Sequence, residues 1–191
     1  MKKIVSLLMS IVVLALSQPL MAADYVIDTE GAHASINFKI SHVGFSFLVG
    51  RFDDFTGTFS YDPVKPENTK VDVLIKTGSI NSNHAERDRH LRSEDYLATD
   101  KYPEATFKST RFVTQDGNNG QLHGKLTLRG VTKDVVIDVK KVGEGQDPWG
   151  GYRVGFAGTT SLTLADFGIP SDLGPAARQV ELSLHIEGVR Q

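Results

Sequence analysis

Residues 122–140 read Leu-His-Gly-Lys-Leu-Thr-Leu-Arg-Gly-Val-Thr-Lys-Asp-Val-Val-Ile-Asp-Val-Lys. Apolar and polar side chains alternate on both sides of Arg129-Gly130, which is typical of two strands that each bury one face. Glycine suits the tight connection between two such strands. The stretch therefore predicts an antiparallel β-hairpin.

The same alternation with a period of two recurs along most of the chain. It is regular in residues 35–40, 55–61, 71–76, 152–159 and 180–187, and less regular in residues 105–109. Turn residues separate these runs, most clearly at 116–120 and 143–148. About eight strands with mostly short connections predict an all-β antiparallel sandwich or closed barrel.

Residues 81–97 differ from this pattern because they are charged and lack glycine and proline. They predict one short helix with Asn81 or Asn83 as its N-cap. His84 and Asp88 are four residues apart and could share a helix face, which would suit a metal ion. However, His90 is six residues from His84, and no HExxH spacing is present. A solvated or salt-bridged helix is therefore favoured, and no metal site is predicted.

The first 22 residues have the three parts of a secretory signal peptide. Lys2 and Lys3 precede a largely apolar run of 13 residues (4–16), and small residues follow at Ala22 and Ala23. The run is shorter than the roughly 20 residues of a membrane-spanning helix, which favours a cleaved leader over a retained anchor. We place cleavage after Ala22, with Ala23 as the alternative. The pattern fits export to the bacterial periplasm, although a secreted eukaryotic protein has similar features.

Composition excludes several functional classes. The chain of 191 residues indicates one domain, here residues 23–191, and it contains no cysteine. Disulfides, thiolate metal sites, cysteine nucleophiles and lipoprotein anchors are therefore excluded. The formal charge is −2, and it becomes −4 without the two leader lysines, which argues against a nucleic-acid partner. No G-x-S-x-G, G-x-G-x-x-G or phosphate-loop motif is present, so we assign no catalytic residue and no cofactor.

Half of the phenylalanines, five of ten, lie within residues 42–59. These rings could fill an ordinary core. An eight-stranded barrel, however, is just wide enough to hold one small ligand. If Gly57, Gly124 and Gly158 face inward, as their phase indicates, the interior is not fully plugged. We therefore predict a dry apolar cavity suited to an aliphatic ligand.

Strand phase assigns the residues of this cavity, and we expect its mouth near residues 81–97 and the loops around His42 and Trp149. The predicted cavity residues are Ile36, Phe38, Ile40, Phe45, Phe47, Phe55, Phe59, Val73, Ile75, Leu91, Phe107, Leu126, Leu128, Ile137, Trp149, Phe156, Leu182 and Leu184. The predicted mouth or head-group residues are His42, Asn83, Arg87 and Asp88.

Several blocks together resemble a known family. They are His42–Phe45 with Gly50–Gly57, Asn83–Ser93 with Asp95–Leu97 and Tyr102–Ser109, Gly124–Lys133, Asp147–Gly151, and Asp166–Ile169. In this order and spacing they resemble the YceI family of exported, lipocalin-like bacterial proteins. The match covers essentially all of residues 23–191.

The resemblance implies an extended eight-stranded antiparallel barrel around a long apolar pore, with the helix near its mouth. It also implies a polyisoprenoid, a quinone-type lipid or another long amphiphile as ligand, no enzymatic activity, and a homodimer as one option. Many members carry arginine just before the Asp-Phe-Gly element, where this chain has Leu164 and Ala165. If that arginine holds the head group of the ligand in those members, this chain is expected to favour a different head group.

The sequence thus favours a periplasmic carrier that encloses an isoprenoid-like lipid. Two other interpretations stay open. One is a structural or stress-related periplasmic protein with a filled core. The other is a lipid-modifying enzyme, which would need a titratable pair inside the barrel; the inward phase contains almost no carboxylate or histidine.

Overall fold

The computed structural model describes residues 22–170 and 174–191, so the predicted leader, except for Ala22, lies outside the described residues. Within these ranges the chain forms eleven strands and one α-helix. The strands are β1 (Ala23–Ile27), β2 (Ser35–His42), β3 (Ser46–Phe52), β4 (Phe55–Tyr61), β5 (Lys70–Lys76), β6 (Ile80–Asn81), β7 (Glu104–Thr114), β8 (Asn119–Leu128), β9 (Val131–Gln146), β10 (Tyr152–Thr163) and β11 (Gln179–Arg190). The helix is α1 (Ala85–Arg92).

The sheet closes into a barrel because β1 pairs with both β4 and β11. The order around the barrel is β1-β4-β5-β7-β8-β9-β10-β11, and all neighbours are antiparallel. The predicted all-β, eight-stranded antiparallel barrel with one helix is thus confirmed.

The three remaining strands lengthen the barrel without adding to its circumference. β2, β3 and β6 pair in that order next to β11, which mirrors the order of β1, β4 and β5. Each is joined to its counterpart by a short segment, residues 28–34, 53–54 or 77–79, at which the chain bends between the two strands. The barrel has an upper end, with α1 and the β2–β3 turn, and a lower end, with the β9–β10 turn and the outer ends of β1 and β11.

The alternation pattern missed β1 and β3. β3 carries apolar side chains on both faces: Phe47 and Val49 are 62% and 64% exposed, whereas Leu48 faces the interior. A strand that is apolar on both faces shows no period of two, and the aromatic run hid it.

The helix is shorter than predicted, and its cap is a different residue. His84 is the N-cap, and its Nδ1 accepts a hydrogen bond from the Arg87 backbone N–H at 3.2 Å. The caps predicted at Asn81 and Asn83 are wrong because Asn81 pairs with Arg51 in the sheet and Asn83 has a φ of 60°. Among the described residues, no helix has the length and apolar character needed to cross a membrane.

An ion-pair network fastens the lower end of the barrel. Arg153 on β10 donates from Nη1 to Asp28 at 2.5 Å and to Glu187 at 2.6 Å, and from Nε to Asp147 at 2.8 Å. The Nδ1 atom of His33 lies 2.9 Å from Asp28 Oδ2, the same oxygen that Arg153 contacts. The contacts join the β1–β2 bend to the β9–β10 turn and to β11. Asp28, His33 and Glu187 are spaced closely enough for a metal ion, but the guanidinium already contacts both carboxylates.

The network makes stability depend on pH in the acid range. Hydrogen bonds from His33 and then Arg153 lower the pKa of Asp28 from 3.8 to about 2. Because the unfolded state binds the proton more readily, this stabilisation is present above pH 4 and is lost as the pH falls to about 2. At pH 5 we expect the free energy of unfolding of wild type to be about 2 kcal/mol higher than that of Asp28→Asn. This difference should be smaller at pH 2. Urea unfolding at both pH values measures this difference. If it does not change with pH, Asp28 is not the source of the pH dependence.

Candidate functional site

The barrel interior contains two chambers that lie end to end. The upper chamber has a volume of about 480 Å³ and the lower chamber about 140 Å³. Five residues line both chambers: Ile36, Ile75, Leu126, Leu162 and Leu182. The two chambers therefore adjoin along the barrel axis and together make up an elongated interior space.

Aromatic rings close the base of the lower chamber. Tyr25 and Phe59 stack with centroids 5.0 Å apart, and Phe156 meets Phe59 and Tyr61 edge-on at 5.8 and 5.4 Å. Tyr25, Phe59 and Tyr61 are at most 5% exposed. The base therefore forms a dry hydrocarbon pocket, which suits the tail of a ligand.

Of the three glycines expected to leave space, Gly158 lines the lower chamber. The other two are covered by neighbours. A Cβ on Gly124 would lie 2.4 Å from the Phe107 ring, and a Cβ on Gly57 would lie 2.7 Å from Ile27 Cδ1. Gly124 thus permits close packing of Phe107 and does not widen the cavity.

Polar groups of the wall are concentrated in the upper chamber, where His42, Ser82, Arg87, His90 and Tyr96 lie among apolar residues. The Arg87 guanidinium donates from Nε to Ser82 Oγ at 2.7 Å and from Nη2 to the Ser82 carbonyl at 2.6 Å. The His90 and Tyr96 rings meet edge-on at 4.8 Å. One end of the space can therefore contact a polar head group while the other contacts hydrocarbon.

Asp88 supports this cluster from behind the wall. Its carboxylate accepts hydrogen bonds from the Ser82 N–H at 2.8 Å and from the Ser82 hydroxyl. Burial alone would raise the pKa of Asp88, but the hydrogen bonds from Ser82 and the nearby Arg92 and Arg87 charges outweigh it, and the pKa is lowered. A charged Asp88 holds Ser82, which in turn holds Arg87.

Most of the cavity residues predicted from strand phase lie on the chamber walls. They are Ile36, Phe38, Ile40, Phe59, Val73, Ile75, Leu91, Phe107, Leu126, Leu128, Ile137, Phe156, Leu182 and Leu184. Whether they contact a ligand stays a prediction.

Four predicted cavity residues lie elsewhere. Phe45, Phe47 and Trp149 point into solvent, with exposures of 90%, 62% and 78%. Phe55 is buried in the core but lines neither chamber. Phe45 and Trp149 lie in turns, where strand phase does not apply, and Phe47 lies on the outer face of the missed strand β3.

Of the four predicted mouth residues, two line the upper chamber and two do not. His42 and Arg87 line the upper chamber, whereas Asn83 is exposed on the outside and Asp88 is buried behind the wall. Trp149, expected near the same mouth, lies at the lower end in the β9–β10 turn. His84 caps the helix and Asp88 binds Ser82, so neither is left for the metal site considered above.

The structure adds wall residues that sequence reasoning did not select. Those in phase with predicted neighbours are Tyr61, Val71, Leu122, Val135, Val139 and Ile186, and those outside strand phase include Ser82, His90 and Tyr96. The first group could have been predicted, because these residues alternate in phase with the predicted cavity residues on the same strands. The second depends on how α1 packs against the barrel end, which has no local sequence signal. Leu164, which stands just before Ala165 and the Asp-Phe-Gly element, also lines the upper chamber.

Comparison with known proteins agrees with this architecture. The sequence model of the YceI-like domain matches residues 25–188. The chain belongs to the YceI family. A family relative, a UPF0312 protein of Shewanella baltica, is 60% identical over 172 residues, which cover 89% of each chain.

Solved YceI-like structures share the barrel. The YceI protein of Campylobacter jejuni is 30% identical, with a TM-score of 0.73 over 80% of this chain and 91% of that one. A polyisoprenoid binding domain from Saccharophagus degradans is 15% identical, with a TM-score of 0.61 over 87% of this chain and 98% of that one. The latter likeness is one of fold alone.

Proposed function

We propose that this YceI-family protein binds a long amphiphilic lipid, of polyisoprenoid or isoprenoid-quinone type, inside the barrel and carries or sequesters it in the periplasm. The observation that carries the proposal is the elongated space with a hydrocarbon base and a polar upper wall. Each buried CH2 group of a tail contributes about 0.8 kcal/mol, so a long chain binds without any specific polar contact. The Saccharophagus domain, described as binding polyisoprenoids, supports the same ligand class.

We propose binding and release as the whole activity, with no catalytic step. The chamber walls within the described residues include His42, His90 and Arg87 but no carboxylate. A lipid-modifying enzyme would need a general acid and a general base next to the ligand, and His42 and His90 are the candidates on the described walls; we propose that they contact the head group instead. A filled-core structural protein is the weaker alternative, because the described interior contains the two chambers.

The test is organic extraction of protein purified from its native host, followed by mass spectrometry of the extract. We expect a prenyl lipid in the extract. Lipid-stripped protein should then take up a prenyl quinone in titration. An empty extract together with no uptake would overturn the proposal.

A further inference from the structure

The turn between β2 and β3 exposes a cluster of apolar side chains at the upper end of the barrel. Phe45 is 90% exposed, Phe47 62% and Val43 49%; we call these three residues the hairpin tip. Isolated exposed apolar residues are common on protein surfaces, but a cluster that includes two phenylalanines at a protruding turn marks an interaction site.

The backbone at the tip strengthens this interpretation. Val43 has a φ of 54° and Gly44 a φ of 81°. Positive φ at both central residues is the geometry of a two-residue hairpin turn that favours Asn-Gly. A β-branched residue at positive φ is a genuine outlier. An apolar side chain therefore occupies a position where a polar one would be less strained, and it is half-exposed there.

Charge around the tip suits an anionic surface. No aspartate or glutamate occurs from residue 31 to residue 52, although the chain has 23 of them. Lys39 lies over the Phe47 ring at 4.8 Å, and its charge is shared with Glu181. Arg178 precedes β11, whose Val180 pairs with Ile40, and it makes no ion pair within the described residues. The β2–β3 hairpin that carries the tip therefore has no carboxylate of its own that would repel anionic lipids.

The same hairpin also forms part of the chamber wall. Ile40, His42 and Leu48 line the upper chamber, while Phe47 on β3 and the turn residues Val43 and Phe45 are exposed. His42 lines the chamber and is also exposed, so the chamber wall beside the tip is only one side chain away from solvent. A surface that receives the tip would then lie against this part of the wall.

We propose that the hairpin tip docks on the surface of a lipid bilayer and brings the wall of the upper chamber at His42 against it. Aromatic and aliphatic side chains bury into the boundary between head groups and acyl chains, and a cation without an ion pair among the described residues, here Arg178, favours anionic lipids. The docking rests on the proposed function, since a carrier of membrane lipid must meet the bilayer to load or unload. A protruding turn fits a bilayer better than a flat protein interface, which needs about 800 Å² from each partner.

The experiment is vesicle flotation of the folded protein with phosphatidylcholine vesicles, with and without phosphatidylglycerol. We expect stronger binding with phosphatidylglycerol and, for the Phe45→Ser/Phe47→Ser double variant, binding weaker by about tenfold or more. The matched control is Val142→Ser/Trp149→Ser, which removes two apolar residues that are 73% and 78% exposed outside the hairpin. It should bind like wild type. Val43→Asn should weaken vesicle binding while raising the melting temperature, because it relieves strain.

Four further outcomes test the proposal. Equal flotation of wild type and the double variant would overturn the proposal. So would a double variant that changes from dimer to monomer in light scattering with vesicle binding intact, because the tip would then be a contact between two copies. Uptake of a prenyl quinone from detergent should be unchanged in the double variant. If wild type takes up no quinone but still docks through the tip, the proposed function fails and the docking stands.

Discussion

Replacement of Leu126 by aspartate is expected to weaken lipid uptake by about a hundredfold or more. Leu126 is 8% exposed and lines both chambers, so any tail that spans them passes this side chain. A bound tail would strip water from the new carboxylate, at a cost of several kcal/mol. Each 1.4 kcal/mol of lost affinity is about tenfold. Fluorescence titration with a prenyl quinone measures the effect.

The matched control for this variant is Val136→Asp. Val136 lies on the neighbouring strand β9 and is 40% exposed on the outer face of the barrel. The Val136→Asp variant adds the same negative charge at a position that does not line the chambers, so its lipid uptake should equal that of wild type. Circular dichroism confirms that both variants fold. A folded Leu126→Asp protein with wild-type uptake would show that the ligand does not occupy the chambers.

Replacement of Arg153 by alanine is expected to destabilise the fold by about 3–5 kcal/mol. The change removes the one cation that contacts Asp28, Asp147 and Glu187, and it leaves Asp28 and Asp147 with side chains only 10% and 7% exposed. Asp28 then keeps only its contacts with His33 and the Gly31 N–H, and Asp147 only those with backbone N–H groups, so the repulsion between the largely buried carboxylates is no longer offset. The melting temperature should fall by roughly 10 °C. Differential scanning calorimetry at pH 7 measures it.

An exposed ion pair provides the control for the stability effect of Arg153→Ala. Lys125 contacts Asp134 at 3.0 Å, with side chains 57% and 82% exposed, and Lys125→Ala should cost less than about 1 kcal/mol. Lowering the pH toward 4 should narrow the gap between Arg153→Ala and wild type, because protonation relieves the repulsion. A melting temperature within 2 °C of wild type would show that the network does not fasten the lower end.

Alternation along single strands was enough to place most of the predicted cavity residues on the chamber walls. Phe38, Phe107 and Leu182 were placed correctly because side chains on one strand alternate between two faces, whatever the strand pairs with. The same reasoning misplaced Phe45 and Trp149, since a turn interrupts the alternation. It also passed over β3, whose two faces are both apolar.

The polar part of the site could not be derived in this way. Ser82, Arg87 and His90 reach the upper chamber because α1 packs over the end of the barrel, and the contacts of α1 with the strands are distant in sequence. Nothing in the local sequence distinguishes Asp88 from an exposed helical aspartate, yet Asp88 is buried and accepts two hydrogen bonds from Ser82.

The strand class, the antiparallel pairing and most inward-facing residues follow from the order of the side chains, because a period of two is a local property of the extended backbone. Closure of the barrel, the bends between three pairs of strands, the division into two chambers and the exposure of the hairpin tip came from tertiary structure. They depend on which strands meet and in what register, and these pairings join residues that are far apart in the chain.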